Sequence, residues 1–176
     1  MSEILNPRHV NISIPNYVKG YRLNQYNLPI WQRKDCWGKT DYRSSLIDSI
    51  MIGIDLPKLY IGDIDGIGKI IIDGGHRTRT INEYLNNEFP ISIGKDNVYY
   101  TAAPAPEEGD RPVTRYTRGM TEAERKHIDS YKLTLCIYDS IQESMARKIF
   151  NKLQNAVPMS VPDVVNSFTS PLVDTL

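Results

Sequence analysis

Six consecutive positions, Asp73 to Thr78, carry a carboxylate, two glycines, an imidazole, a guanidinium and a hydroxyl, in the order D-G-G-H-R-T. They follow the apolar run Ile70–Ile72 and lead into a polar stretch. If a strand ends at the glycines and a helix begins after them, the first helical turn offers unpaired backbone N–H groups and the positive end of the helix dipole. Glycine permits positive φ and close approach of a ligand to the backbone. Phosphate is the common biological anion bound in this way. Arg77 can add a two-toothed fork, Thr78 a hydroxyl, and His76 a group that gains or loses a proton near neutral pH. Asp73 can hold a metal ion or orient His76 or Arg77. A plainer reading stands beside this one: Asp73 and the glycines form a turn, and the arginines are solvated on a helix surface. Strand–glycine–helix turns are common, so pattern alone leaves both open.

The elements that would place these groups can be read from periodicity. "LPKLYIGDI" and "GKIIIDG" read as two strands of a hairpin, joined by the turn-rich "DIDGIG". Asp63 and Asp65 in that turn lack the further ligands of a calcium loop and belong to the hairpin. "RTRTINEYLNN" repeats apolar Ile81, Tyr84 and Leu85 at helical spacing, with Asn86 and Asn87 closing the helix. Upstream, a helix over about 41–52 has Tyr42, Leu46, Ile47, Ile50 and Met51 on one face, Thr40 or Asp41 as cap and Gly53 past its end.

Met1–Leu28 reads as loop with one short strand at "NISI", and Pro29 discourages helix in the segment that follows. Pro90–Met120 is the least regular region, and a long loop or insertion is expected at about 93–120, made locally basic by Arg111, Arg115 and Arg118. Thr121 and Glu124 form a capping box for a short helix to about Tyr131. "KLTLCIYD" alternates as a strand, with Leu133, Leu135 and Ile137 on one face. Ser140 and Glu143 form a second capping box, opening a helix to about Gln154, and a last helix starts near Ser160 with Asp163 in the capping position. The expectation is one α+β domain over 1–176, a small mixed sheet with interleaved helices.

Composition bounds the function. Lysine plus arginine equals aspartate plus glutamate at 21 each, so no bulk positive field points to nucleic acid or membrane, and any anion site is local. No apolar run reaches the ~20 residues needed to span a bilayer. Cys36 and Cys136 share no metal or redox spacing, and Met1–Val10 has no secretory character, so free thiols in a reducing, cytoplasmic setting are expected. Trp31 and Trp37 flank Gln32 and Arg33; packing is the simpler role for both, base stacking the alternative.

"DGGHRTRTI" resembles the D-G-Q-Q-R-L-T-T-L signature of the N-terminal domain of GmrSD-type restriction endonucleases, in the ParB/sulfiredoxin-like superfamily. "LPIWQRKDCW" is similar to the family's upstream I-P-x-Y-Q-R-x-Y-x-W block, through Pro29, Gln32, Arg33 and Trp37. "LIDSIMIGIDLPKLYIGD" resembles its helix-and-strand block, and "IFNKLQNAVPMSVPDV" its late block, through Phe150, Leu153, Asn155 and Ser160. Four blocks lie in the family's order between Pro29 and Val164. There are departures. Gly75 and His76 replace two glutamines, which brings the motif closer to the D-G-Q-H-R of a sister group linked to DNA phosphorothioation control and to the G-G-C-H-R of sulfiredoxins, and the glycine pair after Asn155 is missing. The cysteine that serves sulfiredoxins as nucleophile is also absent, which argues against sulfinic-acid repair.

The resemblance implies a ParB/sulfiredoxin-like fold that binds a nucleotide or a DNA phosphate within a restriction or defence-type system, or a viral relative of one. It implies hydrolysis of an NTP with Mg²⁺, or nicking of DNA, with Asp73, His76 and Arg77 as the reacting core and Asp73 as metal ligand. Gln32, Arg33, Gly74, Gly75, Thr78 and Asn155 would bind the phosphate or nucleotide. Nuclease activity would come from a separate domain or subunit, and the ending "SPLVDTL" suggests a longer ancestor. The alternative is a non-catalytic regulatory module that binds nucleotide or nucleic acid.

Overall fold

The computed structural model describes residues 4–31, 40–103 and 117–155. In chain order the described elements begin with β1 (Arg8–Ser13), α1 (Ile14–Arg22), α2 (Thr40–Met51), β2 (Leu59–Ile64), β3 (Gly68–Asp73) and α3 (Gly75–Leu85). There follow β4 (Ile91–Ile93), β5 (Asp96–Tyr99), β6 (Thr117–Gly119), α4 (Glu122–Ser130), β7 (Lys132–Ile141) and α5 (Glu143–Gln154). The α+β expectation holds.

The main sheet has the order β1-β7-β2-β3. β2 and β3 are the expected antiparallel hairpin, while β7 lies parallel to β2 and antiparallel to β1. Helices cover both faces, which explains why the β3 run is apolar without alternation. Ile71 joins Ile47, Ile50, Ile81 and Tyr84 of α2 and α3 in one core. Ile70 and Ile72 turn the other way, onto Ala146 and Ile149 of α5. Burying each such isoleucine fully contributes about 1.5–3 kcal/mol. β7 is covered on both sides for the same reason: Leu133, Leu135 and Ile137 are buried as expected, and Cys136 on the opposite face is buried too.

Three readings of the chain are corrected. The first concerns α1, which occupies sequence expected to be loop. Pro15 lies in its first turn, where the missing N–H costs nothing. Gly20 is present because the Tyr26 ring crosses close; a Cβ there would stand 2.8 Å from Tyr26 Cε2. The second concerns Ser140, which lies within β7 at φ 50° and does not open α5, whose cap is Gln142. The register slips between Gly62↔Tyr138 and Ile64↔Ile141, and this irregularity carries Ile141 into the core under α5. The third concerns the region expected to be loop from about 93: β5 and β6 lie there and join β4 in a three-stranded sheet. Residues 104–116 within it, including Arg111 and Arg115, lie outside the described residues, as do Gln32, Arg33, Cys36, Trp37, Ser160 and Asp163. Arg118 is held by Asp96 at 2.8 Å and Glu124 at 2.7 Å, so it is a structural tie.

Two local expectations hold in detail. Thr121 and Glu124 form the reciprocal capping box at α4, and Gly53 follows α2 at φ 80°. On α2, Leu46, Ile47 and Ile50 are buried, but Tyr42 faces solvent.

Candidate functional site

β3 ends at Asp73, and Gly74 makes the turn into α3 with φ 98°. A side chain there would be strained by the backbone and would also strike Leu59, whose Cδ2 lies 2.2 Å from the position of a Cβ. α3 therefore starts at Gly75, two residues earlier than its apolar periodicity alone indicates, and this puts His76 and Arg77 in the first turn. The helical ladder opens with the Thr78 amide donating to the Gly74 carbonyl at 2.9 Å. Amides ahead of that bond lie at the positive helix end, where acceptors from outside complete them. Gly74 brings no capping side chain and the first turn holds no acidic residue, so no carboxylate of the helix competes for that end.

Arg77 does not point outward as a free fork. Its side chain is only 13% exposed and folds back over the turn. Nη1 donates to the Pro57 carbonyl, and Nη2 to the Lys58 carbonyl at 3.2 Å and to Asp73 Oδ2 at 3.1 Å. Burial lowers the guanidinium's pKa and the Asp73 charge opposes that shift; arginine stays charged in either case. The pair thus fixes one oxygen of the carboxylate. The other, Oδ1, accepts from Gln154 Nε2 at 3.2 Å, at the last residue of α5. Asn155 is the exposed cap of that helix, next to Gln154. The late block of the sequence is in this way brought to Asp73. Gln154, which sequence reasoning passed over, makes the contact.

Thr78 does not serve as expected. Its hydroxyl is fully buried, bonded to the Gly74 carbonyl at 3.0 Å and to the Tyr17 hydroxyl at 2.9 Å. It locks α3 to α1 and faces no open space. His76 is half-buried in the first turn, with Nδ1 shielded from solvent.

The upstream block also converges here. Asn27 bridges to the edge of β3, donating to the Lys69 carbonyl at 2.9 Å and accepting from the Ile71 amide at 2.8 Å. Trp31 then packs edge-on against Phe150 of α5, with ring centres 5.1 Å apart, and Arg147 lies over its face. Packing is therefore what Trp31 does. Gln32 and Arg33 come directly after it but lie outside the described residues.

Other candidates are silent. Burial pushes the Cys136 thiol upward, so it is not a reactive thiolate. Among the described residues no three of His, Cys, Asp and Glu gather as a metal site, and no helix is long and apolar enough to cross a membrane. A Mg²⁺ ion held mainly by phosphate oxygens would need few protein ligands, and Asp73 could serve as one of them.

Compared with known proteins, residues 14–170 match the family model described as the GmrSD restriction endonuclease, N-terminal domain. No curated protein and no solved structure matches the chain.

Proposed function

The chain belongs to the family of N-terminal domains of GmrSD restriction endonucleases, a module of a restriction or defence-type system, and from that premise we propose that it binds the phosphate of a nucleotide or of DNA at the start of α3. The observation that carries this reading is the Gly74–Gly75 turn, which opens α3 without a capping side chain and without an acidic residue, beside a carboxylate held on both oxygens. A phosphate there meets helix amides and His76. Mg²⁺ bound to that phosphate meets Asp73.

The same groups suit hydrolysis of an NTP or nicking of DNA. Phosphoryl transfer mostly requires positioning and charge neutralisation. Water attacks phosphorus, the bond to the leaving oxygen breaks, and His76 can accept the water's proton. Arg77 acts by holding Asp73 and does not grip phosphate. The nuclease domain or subunit that would act with this module is part of the same proposal.

A second reading, binding without turnover, is favoured by one observation. The Arg77 guanidinium is committed to two carbonyls and Asp73, so it is not available to neutralise charge developing in a transition state. Incubating the full chain with each NTP and Mg²⁺, and with plasmid DNA in parallel, separates the two. Wild type is compared with Asp73→Asn and His76→Ala. Turnover lost in both variants supports the enzyme. Binding without turnover, weakened in both, supports the module. Binding and turnover unchanged in both would mean the site lies elsewhere.

A further inference from the structure

The two carbonyls that hold Arg77 belong to the connection between α2 and β2, which is exposed apart from Leu56, half-buried against the main core. Gly53 stands there at φ 80°, and Ile52 and Ile54 are 66% and 51% exposed. Its start is tied to α2 by the Gly53 amide to Ile50 and the Ile54 amide to Ser49. Its middle is tied elsewhere. The Tyr131 hydroxyl donates to the Ile54 carbonyl at 2.7 Å and accepts from the Leu56 amide at 2.9 Å. Tyr131 is itself well placed to anchor. It sits at the junction of α4 and β7, its amide bonds to Ile128, its carbonyl accepts from the Ile14 amide, and its ring packs on the main core.

These bonds form one chain across the molecule. Tyr131 holds Leu56, and the next residue is Pro57, whose ring fixes φ, so little freedom remains before the Pro57 and Lys58 carbonyls. Those carbonyls hold the Arg77 guanidinium, and Arg77 holds Oδ2 of Asp73.

We infer that Tyr131 is a positioning residue for the Asp73 site, acting through the 53–58 connection and Arg77. The inference rests on the phosphate-binding reading of that site. Removing the hydroxyl frees the connection, releases the carbonyls from their alignment and lets the guanidinium turn away from Asp73. The ring, which packs in the core, is untouched by Tyr131→Phe.

The test uses the full chain as wild type, Tyr131→Phe and Tyr100→Phe. Tyr100 also loses a hydroxyl bond, 2.6 Å to Asp129, and lies beside Leu85 at the opposite end of α3. Rotation of the Arg77 guanidinium is read by nitrogen-15 NMR without ligand, and affinity for ATP–Mg²⁺ and GTP–Mg²⁺ is read by calorimetry. Tyr131→Phe is expected to speed guanidinium rotation and weaken affinity, each on the order of fivefold, as loss of one hydrogen bond allows. Tyr100→Phe changes neither, whatever it does to stability. Equal guanidinium restraint in all three proteins overturns the inference. A wild type that binds no probe while Tyr131→Phe still frees Arg77 overturns the functional reading and leaves the mechanical coupling standing.

Discussion

Arg77 and Asp73 lie four residues apart across the turn from β3 into α3, Nη2 3.1 Å from Oδ2, and the same guanidinium also donates to the Pro57 and Lys58 carbonyls. The arginine most suited by type to grip a ligand is thus spent on the carboxylate beside it and on the chain leading into β2. On the proposed function, the groups left to meet a ligand are the start of α3, His76 and the carboxylate itself.

A lysine at position 77 keeps the charge but cannot reach three acceptors in the plane of a fork. Arg77→Lys is expected to cost about 2 kcal/mol, the scale of a lost hydrogen bond to a charged group. Denaturant unfolding of the two proteins checks this. A variant as stable as wild type would show that the Arg77 bonds to Pro57 and Lys58 contribute nothing to the fold.

Gly74→Ala meets two obstacles at once, a positive φ and the Leu59 side chain. Together they are expected to cost about 3 kcal/mol. The midpoint of thermal unfolding should fall accordingly, and Gly74→Ala made in a Leu59→Ala background should cost less than it does in wild type, because the clash with Leu59 is gone there.

Thr78→Val separates a buried tie from a ligand contact. The Tyr17 hydroxyl loses its partner and the Gly74 carbonyl keeps only the Thr78 amide, so stability should fall by about 1–2 kcal/mol. Affinity of the folded variant for a Mg²⁺–nucleotide should stay within twofold, roughly experimental scatter. A tenfold loss of affinity at unchanged stability would return Thr78 to the ligand.

Acid should loosen the Arg118–Glu124 tie. Hydrogen bonds from Arg118 hold the Glu124 carboxyl down at about 2, against an ordinary value of 4.5. A carboxyl whose folded pKa lies below its unfolded one stabilises fully above the unfolded value, and the contribution fades as pH falls through the folded one. The stability gap between wild type and Glu124→Gln should therefore be widest near neutrality and shrink from about pH 4.5 towards pH 2. Urea titrations across that range would show it, and a gap independent of pH would contradict it.

The parts of the site legible in the sequence are those set by neighbours along the chain. Three branched residues followed by Asp-Gly-Gly declare a buried strand, a turn needing positive φ and a helix start, and the structure has all three. The Thr121–Glu124 box is legible for the same reason, since its bonds span three residues. What escaped reading is long-range. Arg77 turns inward because of carbonyls that come 20 and 19 positions earlier, and Gln154 reaches Asp73 from 81 positions away. No local pattern reports such pairings. In α1, Pro15 and Gly20 imitate loop, because the Tyr26 ring that explains the glycine meets it only in the folded chain.

The central claim is that a phosphate binds at the start of α3 beside Asp73. Calorimetric titration of the wild-type chain with each Mg²⁺–nucleotide and with short duplex DNA, repeated on His76→Ala and Asp73→Asn, tests it most directly. Saturable binding by at least one probe is expected, weakened on the order of tenfold in each variant, the scale of one lost charged contact. Binding of equal strength in all three proteins, or by none of them, would contradict the account.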